Sequence, residues 1–149
     1  MCIRDRLQGV AVGEDAAILT TTDGGASWSL ADPPQSTRHL NGVHALAEED
    51  VWAVGDAGAI LHFGAGSWSV QTGTTGANLN AVFFADQSSG WAVGEDAVVL
   101  RHDGGWTVQA VPDTTADLYD VAAVSPSRAM IVAPAPTIHA RLGETAATS

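Results

Sequence analysis

The sequence predicts an all-β protein assembled from a repeated unit of four short antiparallel strands, and three observations carry that expectation. Leu40, Leu79 and Leu118 follow one another at steps of 39 residues, and Ala53, Ala92 and Ile131 keep the same step. Each unit breaks into four runs rich in Val, Ile, Trp and Thr that alternate at close to period two, separated by Gly, Asp or Asn. No stretch holds an apolar period of 3.6 over the roughly 10 to 12 residues a helix needs, so no helix is expected.

The repeat shows in three aligned segments, GVAVGEDAAILTTTDGGASWS from Gly9, DVWAVGDAGAILHFGAGSWSV from Asp50 and GWAVGEDAVVLRHDGGWTVQA from Gly90. A fainter copy, AMIVAPAPTIHARLG, starts at Ala129. The first interval, Ala11 to Ala53, is 42 residues, and its extra length falls at ADPPQSTRH, where Pro33 and Pro34 mark a loop. In the second unit the runs are LNGVHALA, VWAVG, AILHF and SWSVQT, termed strands A to D. Units of this length with four strands each are the signature of β-propeller blades.

In chain order, residues 7–39 form a partial first blade (strands B to D), 40–78 and 79–117 two full blades, and 118–143 a partial fourth (A to C). Residues 144–149 are expected to fray, lacking an apolar anchor. The opening MCIRDR, residues 1–6, resembles a translated sequencing adapter and is left out of the fold reading, which places the natural start upstream. About three and a half blades would not close the usual ring, so the chain is read as a fragment: either the parent is longer, or two chains complete one ring, or sheet edges are left open to pairing.

Composition narrows the partners. The 17 acids against six bases, all arginine, give a formal charge of −11, which repels nucleic acid phosphates and anionic membranes. No apolar run approaches the roughly 18 residues of a membrane helix. Cys2 is the only cysteine, so neither an internal disulfide nor a thiolate metal cluster can form.

Two turns carry the candidate site residues. Between strands B and C, VGED and VGDAG read as hairpin tips in which Gly13, Gly55 and Gly94 supply a positive φ. Glu14, Asp15, Asp56, Glu95 and Asp96 then fall on one rim of successive blades, and with Arg38 in the preceding connection they form the candidate binding face. A carboxylate ring could hold a hard cation, but solvated turn residues account for these acids, so no metal and no cofactor is expected. Between strands C and D, TTDGGASW fits Ser/Thr-x-Asp-x-Gly-x-Ser/Thr-Trp at Thr21, Asp23, Gly25, Ser27 and Trp28. The Asp carboxylate is placed to accept backbone N–H groups across the hairpin while the Trp packs into the sheet interface. Later copies keep Trp68, and Asp103, Gly105 and Trp106, in degraded form.

The TTDGGASW turn resembles the Asp-box, or BNR repeat, of sialidase-like propellers. Together with WAVGDAGAILHFGAGSW and WAVGEDAVVLRHDGGW, it makes the chain similar, from about Gly9 to Gly143, to bacterial propellers grouped with the photosystem II assembly and stability factor family. The resemblance implies a seven-bladed, noncatalytic, extracytoplasmic binding or assembly scaffold with a protein partner. A glycan-binding module, or the remnant of a sialidase-like glycosidase, is the alternative it implies. Glycosidase chemistry needs a carboxylate pair or a Tyr with its Glu, and for sialic acids an arginine cluster. The single Tyr119 and the scattered Arg38, Arg101, Arg128 and Arg141 do not supply these, and the five histidines show no ligand spacing. The chain is therefore expected to be no enzyme, and its binding surface to lie on the B-to-C tips and the D-to-A connections.

Overall fold

The computed structural model describes residues 2–3, 7–32, 38–111 and 114–134. Their strands form three four-stranded antiparallel sheets and one two-stranded sheet. The first blade holds β1 (Cys2–Ile3), β2 (Gly9–Val12), β3 (Ile18–Thr21) and β4 (Ser29–Leu30). The second holds β5 (Leu40–Ala47), β6 (Asp50–Gly55), β7 (Ile60–Gly64) and β8 (Ser67–Val70). The third holds β9 (Leu79–Phe84), β10 (Ser89–Gly94), β11 (Val99–Asp103) and β12 (Trp106–Gln109), and the fourth begins with β13 (Asp120–Ser125) and β14 (Arg128–Val132). Within each sheet consecutive strands are neighbours. The third strand expected for the last blade, and the tail 144–149, lie outside the described residues.

Three details differ from expectation. Cys2–Ile3 pairs with Val10 and Gly9 in the strand-A place of the first blade, which the sequence pattern had left without a strand. Backbone pairing along an edge needs no side-chain pattern, so the pattern could not show it. Second, two B-to-C tips wind into single 3-10 turns, Glu14–Ala16 and Asp56–Gly58. Third, the tip glycines are not the residues with positive φ. Gly13 and Gly55 are extended, at −166° and −169°, and the left-handed conformation falls two residues later, at Asp15 (51°), Ala57 (49°) and Asp96 (53°). Space explains the glycine instead: a Cβ on Gly55 would run into the carbonyl oxygen of His39, and one on Gly94 into that of Asn78.

The inner strands β5, β9 and β13 lie against one another, and the core is built between blades rather than inside them. Along β10, Trp91 and Val93 face the fourth blade and pack with Leu118, Val121, Ala129 and Ile131. The intervening Ala92 faces the second blade, with Trp52, Val54, Leu79 and Phe84. Period-two alternation therefore divides each B strand between two interfaces, which is why WAVG is apolar throughout while remaining a strand. Trp91 is completely buried, and truncating a side chain of this size to Ala costs about 3–5 kcal/mol.

Candidate binding face

The B-to-C tips of three successive blades and the connections entering the next blade meet at one end of the sheets. Each tip amide is tied off by a residue one to three positions ahead of the following strand A. Asp15 N–H donates to His39 Nδ1 at 3.2 Å, Ala57 N–H to Asn78 Oδ1 at 2.8 Å, and Asp96 N–H to an Asp117 carboxylate oxygen at 3.1 Å. Backbone bonds reinforce the seam: Leu40 N–H donates to Gly13 O and Leu118 N–H to Gly94 O, both at 2.9 Å. Asn41 and Asn80, one residue into strand A, donate across to the carbonyls of Leu79 and Leu118 at 3.0 and 2.8 Å. Spacings of 39 residues separate His39, Asn78 and Asp117, so the same device recurs at each junction with a different acceptor.

This seam fixes the acidic tips. Asp56 accepts a bond from Asn41 Nδ2 and Glu95 one from Asn78 Nδ2, each at 3.0 Å. Arg38 reaches the same tip as Asp56, donating from Nη1 to Ala57 O at 2.7 Å. Glu14, Asp15 and Asp96 stand exposed. The six side chains expected on one face thus sit on that end, on a backbone held by hydrogen bonds. Among the described residues no group of three or more His, Cys, Asp or Glu side chains gathers as a metal site.

At the C-to-D turn of the first blade, Asp23 works as a local hub. Its carboxylate accepts from Ser27 N–H at 2.9 Å, Ser27 Oγ at 2.6 Å and Thr21 Oγ1 at 2.7 Å. Thr21 Oγ1 in turn accepts from Gly25 N–H at 3.0 Å, and Gly24 and Gly25 take φ of 75° and 91°. These bonds, led by the Ser27 hydroxyl, hold the Asp23 carboxyl at about 2, well below the ordinary carboxylate range. In the third blade Asp103 N–H instead donates to Gly105 O at 3.1 Å, closing a plain tight turn.

Of the histidines, read from sequence as polar strand residues, His62 and His102 take part in an aromatic stack, and His139 lies outside the described residues. His62 lies flat on Trp52, with ring centroids 4.1 Å apart, and Phe84 stacks nearby with its centroid 4.6 Å from that of Trp52. Asp50 ties the group together, accepting from Trp52 Nε1 at 2.9 Å and lying 3.0 Å from His62 Nε2. His102 and Trp106 complete it from the third blade, and His44 packs on Phe83 at 4.5 Å. Strand register, which puts His44 and His62 on either side of Trp52, was the missing signal. Tyr119 is more than half exposed, and Arg101 and Arg128 lie on β11 and at the start of β14.

No family model matches the chain, and a search of the curated proteins finds no match. Among solved structures, the chain is similar to YCF48 bound to D1 peptide, with a TM-score of 0.64 and 24% identity over 89% of this chain and 50% of that one. It is also similar to YCF48 from Cyanidioschyzon merolae, with a TM-score of 0.56 and 13% identity over 85% of this chain and 61% of that one. YCF48 is a photosystem II assembly factor with a β-propeller fold. The chain thus spans about half to three fifths of the length of these propellers, and the likeness establishes its own fold as part of a β-propeller.

Proposed function

We propose that the protein is a noncatalytic scaffold that binds a protein segment on the end of its blades formed by the B-to-C tips and D-to-A connections. The observation that carries this reading is the recurring cap by His39, Asn78 and Asp117, which fixes three successive acidic tips in one rigid row. A surface whose backbone is already ordered loses little entropy when a flexible peptide docks on it. The YCF48 structure that shares the fold holds a peptide, which supports the same class of ligand here. With Glu14, Asp15, Asp56, Glu95 and Asp96 on the row, the favoured peptide carries positive charge.

A peptide array graded in charge tests the proposal, read against a glycan array on the same protein. Basic peptides should be retained, and replacing Asp15, Asp56 and Asp96 together by Asn should weaken retention and its dependence on salt. Glycan retention without peptide retention would overturn it. The resemblance to extracytoplasmic propellers further supports action outside the cytoplasm, which labelling of intact cells with an impermeant reagent would check.

A further inference from the structure

We propose a second ligand site, a cavity between the first and second blades that takes a cationic group with an apolar or aromatic body. The interface between the second and third blades is filled by Trp52, Phe84, His102 and Trp106, whose rings lie 4.6–5.7 Å apart. Strand register gives their counterparts one blade earlier as Val10, Ala45, Phe63 and Trp68. Two large rings are thus replaced by small side chains at positions that face each other across the seam. The space they vacate opens into a cavity of about 710 Å³, within the range of about 300–1,000 Å³ typical of small-ligand sites.

Its chemistry follows from what remains. Val10, Ala45, Val51, Phe63 and Trp68 supply apolar lining, with the Phe63 and Trp68 rings 5.4 Å apart and tilted by 51°. Asp32, Glu48 and Glu49 also line it, and among the described lining residues none is basic. Glu48 is already positioned by Gln8, which donates to its Oε1 at 2.7 Å. An aromatic face beside carboxylates attracts an organic cation through both the ring quadrupole and direct charge, and disfavours an anion of equal size. Thr21 forms part of the wall, its hydroxyl bonded to Asp23, so the Asp23 turn shapes this cavity from outside. The A-to-B turn Glu48–Glu49 and the C-to-D residues Gly66 and Ser67 border it at the end of the blades opposite the acidic tips, and Ala31 and Asp32, where the connection to the second blade begins, line it as well.

The test titrates the full chain with phenethylamine and with 3-phenylpropionate, following the Trp68 indole N–H resonance, which Trp68→Phe assigns. Saturable shifts with the amine but not the acid are expected. Val10→Trp, which restores the residue found at Trp52, should abolish them while the other indole signals stay dispersed; Ala45→Phe serves the same purpose should Val10→Trp fail to fold. Asp32→Asn with Glu49→Gln should weaken binding by about two- to five-fold, the effect of losing exposed ion pairs. Tighter binding of a short peptide pairing Arg with an aromatic residue would assign the cation to a partner chain, and tighter binding of the free amine would assign it to a small molecule. Absence of saturable binding, equal binding of the acid, or binding that survives in a folded cavity-filled variant would overturn the proposal.

Discussion

Asn78 bridges two blades: its Oδ1 accepts the amide of Ala57 at 2.8 Å while its Nδ2 donates to Glu95 at 3.0 Å. One side chain therefore satisfies a backbone donor of the second blade and orders an acidic tip of the third. Asn78→Ala should lower stability by about 1 kcal/mol, the usual net worth of such a bond, and more if the Ala57 amide is left unpaired. Denaturant unfolding of the two proteins measures this, and Asn78→Asp, which keeps the acceptor but brings a charge beside Glu95, should recover only part of the loss.

The Asp23 turn predicts an acid-sensitive contribution. Its carboxyl is held down to about 2 from 3.8 by the Ser27 hydroxyl and amide and by Thr21. A lowered carboxylate value means the unfolded chain takes up the proton first, so the stabilisation is full above about pH 4 and is lost as pH falls towards about 2. Wild type and Asp23→Asn should differ in unfolding midpoint near neutrality, and that difference should shrink through this window. A difference that stays constant down to about pH 2 would show that the bonds act independently of charge. Asp86 is lowered by Ser88 and Ser89 in the same direction and adds to the background slope of both proteins.

His44 works in the opposite part of the pH scale. Burial against the third blade lowers its value from 6.5, against a smaller opposing pull from the Phe84 backbone and Asp50. The unfolded state then binds the proton more readily, so stability is full above about pH 6.5 and declines as pH falls below it. His44→Gln should flatten this part of the profile, whatever it does to stability at neutral pH. Thermal midpoints collected from about pH 8 to about pH 5 give the comparison.

The two kinds of glycine environment separate cleanly. A Cβ at Gly94 would collide with Asn78 O, whereas at Gly13 none of the described residues lies within 4 Å, and Gly13 is extended. Gly94→Ala should cost about 1–3 kcal/mol, as overpacking does, while Gly13→Ala should change stability by less than about 0.5 kcal/mol. If both substitutions behave alike, the collision is being relieved by movement of the Asn78 segment, and its hydrogen bond to Ala57 should weaken with it.

Much of the architecture was legible because Leu40, Leu79 and Leu118 mark the repeat with a single residue type. The junctions were less so. His39, Asn78 and Asp117 perform one task with three chemistries, since an amide needs only an acceptor at that place, and identity-based alignment overlooks such a set. The tip glycines were found, but their reason was misassigned, because the obstructing carbonyls belong to residues 16 apart in sequence, His39 beside Gly55 and Asn78 beside Gly94. The cavity was hidden for a related reason. Val10 and Ala45 are unremarkable residues, and their meaning appears only when register sets them beside Trp52 and Phe84.

That each core cluster is shared by two blades makes stability a property of junctions. A blade taken alone would expose both its faces, so the array behaves as a one-dimensional chain of nearest-neighbour couplings. Damage at one seam is then felt mainly by the two blades that share it. The seam between the first two blades, where Val10 and Ala45 leave space, is less filled than the one between the second and third, and a ligand seated there would tighten the coupling itself.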